Sequence, residues 1–425
     1  MTVTANEQYF IELVNRARLD PLAEAARFGI DLNQGLAAGT LNGTAKHVLA
    51  PNALLDSAAE SHSAWMLQAD IFGHTGVNNS NPQDRMITAG YVFAGAWTYG
   101  ENVSWLGSSG ALDAAAAIGQ HHQNLFLSAG HRVNIANDGF REVGIAQALG
   151  VFTYQGRDWN SSMATQNFAT SGTAVFVTGA VYSDTNNDDF YSIGEGLAGT
   201  RFTVNGASAT SQAAGGYALA TTAALATVTV LQGAQTSVVK IDLTTGNGKL
   251  DLVDGDQFFA SASLQLISGV AKATLLGVGA LNLTGNALAN TLTGNSGYNR
   301  LDGGDGADTI TGGLGNDRLF GGAGNDRLVG GAHKDIMKGG GGADSFVMNN
   351  TDGADRISDF SLAQLDRLVL DDGLWGNVAQ TAAQVISSFS SVTAAGVVFN
   401  FGGGDILTLT GLTSTSGLAA QIDIF

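Results

Sequence analysis

Aspartate and glycine recur at fixed spacing in the last third of the chain. From Gly285 to Val347 the sequence runs as seven units of nine residues, GNALANTLT, GNSGYNRLD, GGDGADTIT, GGLGNDRLF, GGAGNDRLV, GGAHKDIMK and GGGGADSFV. Position six is always Asn or Asp, and position eight is always a large apolar residue. Paired glycines allow φ > 0 and let carbonyl oxygens face an ion, while carboxylate oxygens suit Ca²⁺. The period predicts a parallel β-roll that binds calcium between successive loops.

The predicted ligands come mainly from the later units, because the first two lack the full GGxGxD pattern. They are Gly303, Asp305, Asp308, Gly312, Gly315, Asp317, Gly321, Gly324, Asp326, Gly330, Asp335, Gly339, Gly342 and Asp344. His333 replaces glycine in the sixth unit. Without calcium, repulsion in the aspartate row and the unopposed entropy of the glycines should leave the segment disordered. A glycine-rich linker is the alternative, but two positions in register over seven units disfavour it.

A second oxygen-rich segment, DTNNDDFYSIGE, spans residues 184–195. Its spacing matches an EF-hand-like calcium loop, with the Phe190 carbonyl at position seven and the other ligands at positions 1, 3, 5 and 12. Those ligands are Asp184, Asn186, Asp188 and Glu195. Asp189 stands at position six, where glycine is usual, and a simple polar turn is the alternative.

The composition excludes several kinds of chemistry. The chain has no cysteine, so it has no disulfide, no thiolate nucleophile and no Cys-ligated zinc. The patterns HExxH, GxSxG and the phosphate-binding P-loop are absent as well. A net charge of −18 disfavours nucleic acid and anionic membranes as partners, and no apolar run is long enough for a transmembrane segment.

The elements that position these residues form a multidomain chain. Thr4 and Glu7 have capping-box spacing ahead of an apolar stripe, which predicts a helix at the start of a mixed domain over residues 1–170. Residues 171–245 alternate apolar and polar in short runs, which predicts a small antiparallel β-sandwich carrying the 184–195 loop. A strand-rich connector (246–284), the β-roll (285–347) and a C-terminal β cap (348–425) should follow.

The repeats resemble the RTX calcium-binding family, and residues 348–425 look like the end piece that follows such rolls. The segment GAVYSDTNNDDFYSIGEGLAGTRFTVNG, followed by AAGGYAL, resembles the B-type repeat domains of serine-aspartate-rich surface adhesins, which carry a calcium loop on a sandwich. RTX proteins are substrates of type I secretion, so the resemblance implies that apparatus as a partner and an extracellular or cell-surface location. The N-terminal segment lacks the regions of a signal peptide, so we expect an uncleaved C-terminal secretion signal.

Residues 5–170 resemble the CAP family (cysteine-rich secretory, antigen 5 and pathogenesis-related proteins) in its cysteine-free bacterial branch. The motifs are LVNRARLDPLA, LLDSAAESHSAWM, FGHTG, GYVFAG, GENV, LFLSAGHRVNI, FREVGIA and ATQNFA. The resemblance implies an α-β-α sandwich whose cleft holds a His/Glu cluster, here His74, Glu101 and His131. The family's second glutamate has no counterpart in the helix AAAAIGQHHQNLF, so Glu142 is a candidate substitute, and His121 or His122 could approach.

Two imidazoles and one or two carboxylates suit Zn²⁺ or Mg²⁺ in the cleft, and a purely structural His–Glu network is the alternative. His62 lies on the apolar stripe of its helix and is predicted to be a buried structural residue. We expect a secreted CAP protein that binds a lipid, a peptide or a cell surface. A metal-dependent hydrolase using His74 and His131, and a structural or adhesive surface protein, are the alternatives. The missing glutamate favours binding over catalysis, and the catalytic residues of any enzyme remain unassigned.

Overall fold

The computed structural model describes residues 3–425 and divides the chain into two compact units. The first unit extends to Thr236 and includes Asp242–Gly255, and the second consists of Ser237–Ile241 and Asp256–Phe425. No helix in the described part of the chain has both the length and the apolar character needed to cross a bilayer. The helices are α1 (Ala5–Leu19), α2 (Pro21–Arg27), α3 (Ala53–Ala69), α4 (Pro82–Thr88), α5 (Ala114–Leu127), α6 (Ala129–Ile135) and α7 (Ala382–Phe389). Single 3-10 turns lie at Val77–Asn79, Asp372–Trp375 and Leu418–Gln421.

The N-terminal part of the first unit is a three-layer α-β-α sandwich around one sheet. The sheet strands are β1 (Ala50–Pro51), β2 (Trp97–Ser108), β3 (Glu142–Tyr154) and β4 (Arg157–Ser171), in the order β1-β3-β4-β2. Helix α1 begins with the predicted capping box of Thr4 and Glu7. Helices α1 and α5 bury Phe10 and Ile118 against one face of the sheet, and α3 buries Leu55 and Met66 against the other. The predicted CAP-like architecture is thus confirmed.

Two small sheets follow in the first unit. The strands are β5 (Val175–Tyr182), β6 (Arg201–Val204), β7 (Ala207–Thr210), β8 (Gly216–Thr221), β9 (Leu225–Gln232) and β11 (Gly248–Val253). Strand β10 (Gln235–Asp242) lies at the division of the chain, and its residues Ser237–Ile241 belong to the second unit. β5 pairs with β8 and β11, and β6 pairs with β7 and β9. Phe202 of β6 stacks on Tyr217 of β8, with ring centroids 3.7 Å apart, so apolar rings join the two sheets.

These sheets pack on helix α1 through buried polar contacts. The Lys249 ammonium lies 2.9 Å from Oε2 of Glu12 and forms a second ion pair with Asp251. The Phe190 ring packs edge-on against Tyr9, 6.2 Å between centroids. Strand β11 lies inside the predicted connector 246–284, and in the structure it belongs to the first unit.

The second unit is a parallel β-roll with an antiparallel cap. Its strands are β12 (Gln257–Ala260), β13 (Leu264–Ser268), β14 (Lys272–Leu275), β15 (Asn282–Thr284), β16 (Thr291–Thr293), β17 (Arg300–Asp305), β18 (Thr309–Leu314), β19 (Arg318–Ala323), β20 (Arg327–Ala332), β21 (Ile336–Gly341), β22 (Ser345–Met348), β23 (Ala354–Ile357), β24 (Arg367–Leu370), β25 (Ser390–Thr393), β26 (Gly396–Gly402), β27 (Asp405–Thr410) and β28 (Ile422–Ile424). Alternate strands pair in parallel, so Leu301 lies beside Leu319 and Ile310 beside Leu328. The apolar residue at position eight of every unit is therefore buried in the roll. Parallel pairing already begins with β12 and β14, ahead of the first nonapeptide.

Candidate functional sites

A His/Glu cluster lies between the sheet and the α3–α4 side of the N-terminal domain. Glu101, on β2, is buried and accepts a hydrogen bond at Oε1 from His74, with the Nδ1–Oε1 distance at 2.9 Å. Its Oε2 accepts from the Arg85 guanidinium of α4 at 2.5 Å. His62 of α3 places Nε2 3.9 Å from Glu101 Oε1. Both carboxylate oxygens are therefore already engaged by cationic or imidazole groups of the chain.

His131 lies on α6 beside this cluster. Its ring centroid is 6.4 Å from that of His74. Burial, and secondarily the neighbouring His74, lower the pKa of His131 below its ordinary value. The structure thus brings together the predicted residues His74, Glu101 and His131.

The other candidate cleft residues have partners elsewhere. Glu142 begins β3, which β4 separates from β2, and its carboxylate accepts from Tyr91 and Asn52, each at 2.6 Å. His121 is a fully buried side chain of α5, and its two ring nitrogens form hydrogen bonds of 2.8 Å with the hydroxyls of Ser104 and Ser162.

The next residue, His122, places Nε2 2.8 Å from Oε1 of Glu24, and Arg16 also binds this carboxylate. The imidazole of His121 is neutral at physiological pH, because burial lowers the pKa of His121 to about 3. Glu142, His121 and His122 therefore take part in separate hydrogen-bonded networks.

The cleft does not fit a divalent metal in this arrangement. Among residues 3–425, no group of three or more His, Asp or Glu side chains is placed to hold a metal ion. Arg85 occupies the side of Glu101 that a cation would need, and it supplies the compensating positive charge. The sequence did not single out Arg85, which belongs to no recognised motif; only folding brings α4 onto β2.

A cavity opens beside the cluster, between α3 and the chain segment 77–89. We call it the α3–α4 cavity; its volume is about 540 Å³. The Trp65 ring, which lines it, stacks on His62 at 5.8 Å. The polar atoms Ser80 Oγ, Arg85 Nε and His62 Nδ1 belong to lining residues and are buried without a hydrogen-bond partner. The remaining lining residues are Ser57, Ala58, Ser61, Val77, Asn78, Asn79, Asp84, Thr88 and Ala89.

The neutral His62 imidazole has a defined tautomer. Its Nε2 lies 2.9 Å from the Gly73 carbonyl, which can only accept, so Nε2 carries the proton and Nδ1 presents a lone pair. Burial lowers the pKa of His62, which favours this neutral form. The sequence-based prediction of His62 as a buried helix residue agrees with its position, but its proximity to Glu101 was not foreseen.

In the roll, each aspartate at position six uses one carboxylate oxygen and leaves the other without a partner. Oδ1 of Asp326 accepts the Asp308 N–H at 2.9 Å, and Oδ1 of Asp344 accepts the Asp326 N–H at 3.0 Å. The same bond runs from each unit to the unit two positions later. Oδ2 is buried without a hydrogen-bond partner in Asp308, Asp317, Asp326, Asp335 and Asp344. Buried carboxylate oxygens without hydrogen-bond partners are suitable ligands for a hard cation such as Ca²⁺, which would satisfy them.

The glycines of these units keep the space around the free oxygens open. A Cβ on Gly303, Gly312, Gly321, Gly330 or Gly339 would collide with the carboxylate of the aspartate five residues later. Gly315, Gly324 and Gly342 have φ of +112°, +136° and +133°, a region that only glycine enters freely. Asp305 lies exposed at position three of its loop. His333 keeps the loop conformation with φ +96° and accepts the Gly315 N–H at Nδ1, 3.1 Å away.

Burial raises the pKa of the aspartates in the row. The pKa of Asp317, Asp326 and Asp344 rises from 3.8 to about 6, and that of Asp335 rises to about 7. The first two units differ, because Asn290 and Asn299 stand at position six. The Asn299 amide donates to the Leu281 carbonyl at 3.2 Å, and its oxygen accepts the Asn295 N–H. The amide groups of these asparagines therefore have hydrogen-bond partners without a cation.

In the loop 184–195, the side-chain oxygens accept hydrogen bonds from N–H groups of the loop's own backbone. Asp184 accepts the N–H groups of Asp188 and Asp189 at 3.2 and 3.0 Å. Glu195 accepts from Thr185 and from the Ser192 N–H. Asp189, at the position where glycine is usual, has φ +57°, so it adopts the left-handed turn that such a loop requires. Asn186 and Asp188 also accept N–H groups of the loop, and the Phe190 ring contacts Arg16, 5.1 Å from its guanidinium carbon.

Comparisons with known proteins agree with two of these regions. The model of the cysteine-rich secretory protein family matches residues 11–168. The model of the RTX calcium-binding nonapeptide repeat (4 copies) matches residues 284–319 and 311–346. Among solved structures, an extracellular protein containing a SCP domain from Bacillus anthracis str. Ames is 22% identical over 40% of this chain and 44% of that chain, with a TM-score of 0.21. The chain therefore aligns with less than half of that protein. A comparison with curated proteins found no match.

Proposed function

We propose that this protein, a calcium-binding chain that joins a CAP domain to RTX repeats, is secreted and uses its CAP domain to bind a small amphipathic ligand. The α3–α4 cavity is the observation that carries the proposal. Its volume of about 540 Å³ lies in the usual range for small-molecule sites, and its wall combines apolar and polar groups. The ligand class is a short apolar chain or ring with one hydrogen-bonding head group.

The head group would lie at the open, polar side of the cavity. Its exposed lining residues there include Ser61, Asn79 and Thr88, whose hydroxyl and amide groups can both donate and accept hydrogen bonds. A hydroxyl or a carboxyl group can satisfy such a mixed set. Trp65, Val77 and Ala58 would contact the apolar part of the ligand.

Binding is better supported than hydrolysis because Glu101 is not free to serve as a general base. Its two oxygens are bonded to His74 and Arg85. The Glu101–Arg85 pair instead fixes the orientation of Arg85 at the cavity wall. Histidine and glutamate would therefore hold a wall residue of the cavity in place.

The test uses the full-length protein and cis-parinaric acid, a fluorescent fatty acid. Ser61 and Ala64 are both exposed residues of α3, but only Ser61 lines the cavity. We expect saturable binding by the unmodified chain, at least about tenfold weaker binding by Ser61→Trp because the indole fills the cavity, and binding within about twofold for Ala64→Trp. Absence of saturable binding, or an equal loss in both variants, contradicts the proposal.

We also propose that the 184–195 loop binds one Ca²⁺. The left-handed Asp189 and the clustered oxygens of Asp184, Asn186 and Asp188 support this proposal. On calcium addition, the loop N–H bonds to these oxygens should be exchanged for metal bonds. Calcium should therefore shift the amide resonances of residues 184–195, and Asp188→Asn should abolish the shift. Unshifted resonances at millimolar calcium would rule the site out.

The proposal of secretion rests on the calcium requirement of the roll. Extracellular calcium modules bind at about 10⁻⁴–10⁻³ M, so the roll would stay unfolded at low calcium and fold outside the cell. RTX repeats are typical of type I secreted proteins, which makes that apparatus the expected partner. Cells with a type I exporter should release the chain into the medium, and matched cells without the exporter should retain it. Equal release from both would contradict this route.

A further inference from the structure

A nine-residue segment beyond the seventh nonapeptide resembles the repeats in sequence. Residues 350–358 read NTDGADRIS, and two residues separate them from the seventh unit, which ends at Val347. Their DGAD is identical to Asp305–Asp308 of the third unit, GGDGADTIT, and both segments carry isoleucine at position eight. Asn350 and Thr351 stand where the repeats have paired glycines, so the segment does not match the glycine pattern.

The backbone of this segment nevertheless has the loop conformation of the repeats. Thr351 has φ +74° and Gly353 has φ +100°, at the positions where Gly304 and Gly306 have +102° and +118°. A threonine with positive φ is a costly outlier, which persists only where the surroundings impose it. Asp405 imposes it here, since its carboxylate accepts the N–H groups of Thr351 and Gly353 at 3.1 and 2.9 Å.

The segment also continues the hydrogen-bond register of the roll. The Asp335 N–H donates to Asp355 Oδ1 at 2.9 Å, as the Asp317 N–H donates to Asp335 Oδ1 at 2.7 Å. Ile357 lies beside Met337 in the parallel sheet and is fully buried. Residues 350–358 therefore stack on the sixth unit in the way that the sixth unit stacks on the fourth.

The decisive feature is the second oxygen of Asp355. Asp355 is 2% exposed, and its Oδ2 is buried without a hydrogen-bond partner, like Oδ2 of Asp335 in the loop on which it stacks. Asp366 ends the other row of the roll and gives a comparison inside the molecule. Its Oδ1 accepts the Asp344 N–H and its Oδ2 accepts the Ser361 N–H, so neither oxygen of Asp366 is free.

We propose that residues 350–358 form an eighth, glycine-poor calcium loop, whose Asp355 carboxylate binds a Ca²⁺ shared with the Asp335 loop. The ion satisfies the two buried Oδ2 atoms and compensates the surrounding negative charge of Asp352 and Asp405. Burial, together with the negative charge of Asp335, Asp352 and Asp405, raises the pKa of Asp355 from 3.8 to about 8 in the metal-free chain. Hydrogen bonds between alternate units link the aspartates into two rows, one of Asp317, Asp335 and Asp355 and one of Asp308, Asp326, Asp344 and Asp366. The first row thus ends at an ion. The second row ends at Asp366, whose two oxygens accept N–H groups.

The inference rests on calcium binding by the repeats, so the experiment tests both separately. Native mass spectrometry of the full chain at saturating calcium counts the bound ions for the unmodified protein and three variants. Asp355→Asn should hold one ion fewer than the unmodified chain, and Asp302→Asn, which alters a surface carboxylate paired with Arg300, should hold the same number. Asp326→Asn should also lose calcium, which shows that the count responds to a repeat ligand.

An unchanged count in Asp355→Asn, with a reduced count in Asp326→Asn, would overturn the eighth loop while leaving the repeats as calcium sites. An unmodified chain without calcium would instead overturn calcium binding by the repeats themselves. If Asp355→Asn fails to fold, Thr351→Gly decides the question. A glycine relieves the positive φ, so the last ion should bind at about threefold lower calcium, and an unchanged calcium dependence would count against the loop.

Discussion

The substitution Asp326→Asn should change the stability of the roll in opposite directions with and without calcium. In the calcium-free protein the Asp326 carboxylate is buried, one of its oxygens has no partner, and burial raises its pKa from 3.8 to about 6. A shift of about two pKa units corresponds to roughly 3 kcal/mol of destabilisation once the group ionises. Asparagine removes this charge at nearly constant shape.

The asparagines of the first two units indicate what the new amide would do. Asn299 donates to the Leu281 carbonyl, which also accepts the Arg300 N–H. The Asp308 carbonyl stands in the same relation to residue 326, since it accepts the Arg327 N–H at 2.8 Å. An asparagine at 326 can therefore satisfy its own amide, so the full gain of about 3 kcal/mol is the upper estimate for the calcium-free roll at pH 8.

The sign of the pH dependence follows from the raised pKa. A carboxylate whose pKa is higher in the folded than in the unfolded chain stabilises folding below its unfolded pKa, and this stability is lost as pH rises through about 6. In chelator, the unmodified roll should thus gain β structure on acidification from pH 8 to pH 4.5. The advantage of Asp326→Asn should be largest at pH 8, shrink as the pH falls through about 6, and vanish only below the unfolded pKa of 3.8.

Circular dichroism of the full-length chain measures the β content in chelator between pH 8 and pH 4.5 and the unfolding temperature in millimolar calcium. We expect Asp326→Asn to have more β structure than the unmodified roll in chelator at pH 8. In calcium it should unfold at a lower temperature, because a calcium ligand is lost. Asp302→Asn, whose carboxylate is only partly buried, should match the unmodified roll under both conditions. A variant with no more β structure than the unmodified chain in chelator between pH 8 and pH 6 would refute the reasoning.

Three further predictions concern single side chains. Gly324→Ala should abolish the calcium-induced β structure, because the φ of Gly324 is +136° and the new Cβ would collide with the Gly306 carbonyl. The control Gly341→Ala should fold normally, since no atom lies within 4 Å of its Cβ position. Circular dichroism with and without calcium distinguishes the two variants. Arg85→Met should lower the free energy of unfolding of the N-terminal domain by about 3–5 kcal/mol, because it leaves buried Glu101 without its cation. Urea denaturation measures this loss, and the double variant with Glu101→Gln should recover part of it. Lys249→Met should cost a similar amount, about 3–5 kcal/mol, because Glu12 and Asp251 would lose their shared cation, and an unchanged urea midpoint would contradict the role of this ion pair.

The roll was predictable because its sequence is locally repetitive. Position eight of each unit had to be buried and position six had to line the loops, and Leu319 and Asp317 occupy those places. The family matches confirm the predicted CAP domain and RTX repeats. Residues 350–358 escaped sequence inspection because the glycine pair is missing and two residues interrupt the period. Only the stacking of Asp355 on Asp335 identifies the segment as a loop of the same kind.

The CAP cleft was less accessible to sequence reasoning. Motifs led to His74, Glu101 and His131, because each stands in a recognisable local pattern. Arg85 and the cavity stand in none, and Glu142 proved to be bonded to Tyr91 and Asn52. The sequence alone determined the nonapeptide roll and the capped helix α1, since these depend on neighbours within one or two repeats or turns. The tertiary structure alone decided which charge compensates Glu101 and which aspartate oxygens remain free, because those partners come from elements that only folding brings together.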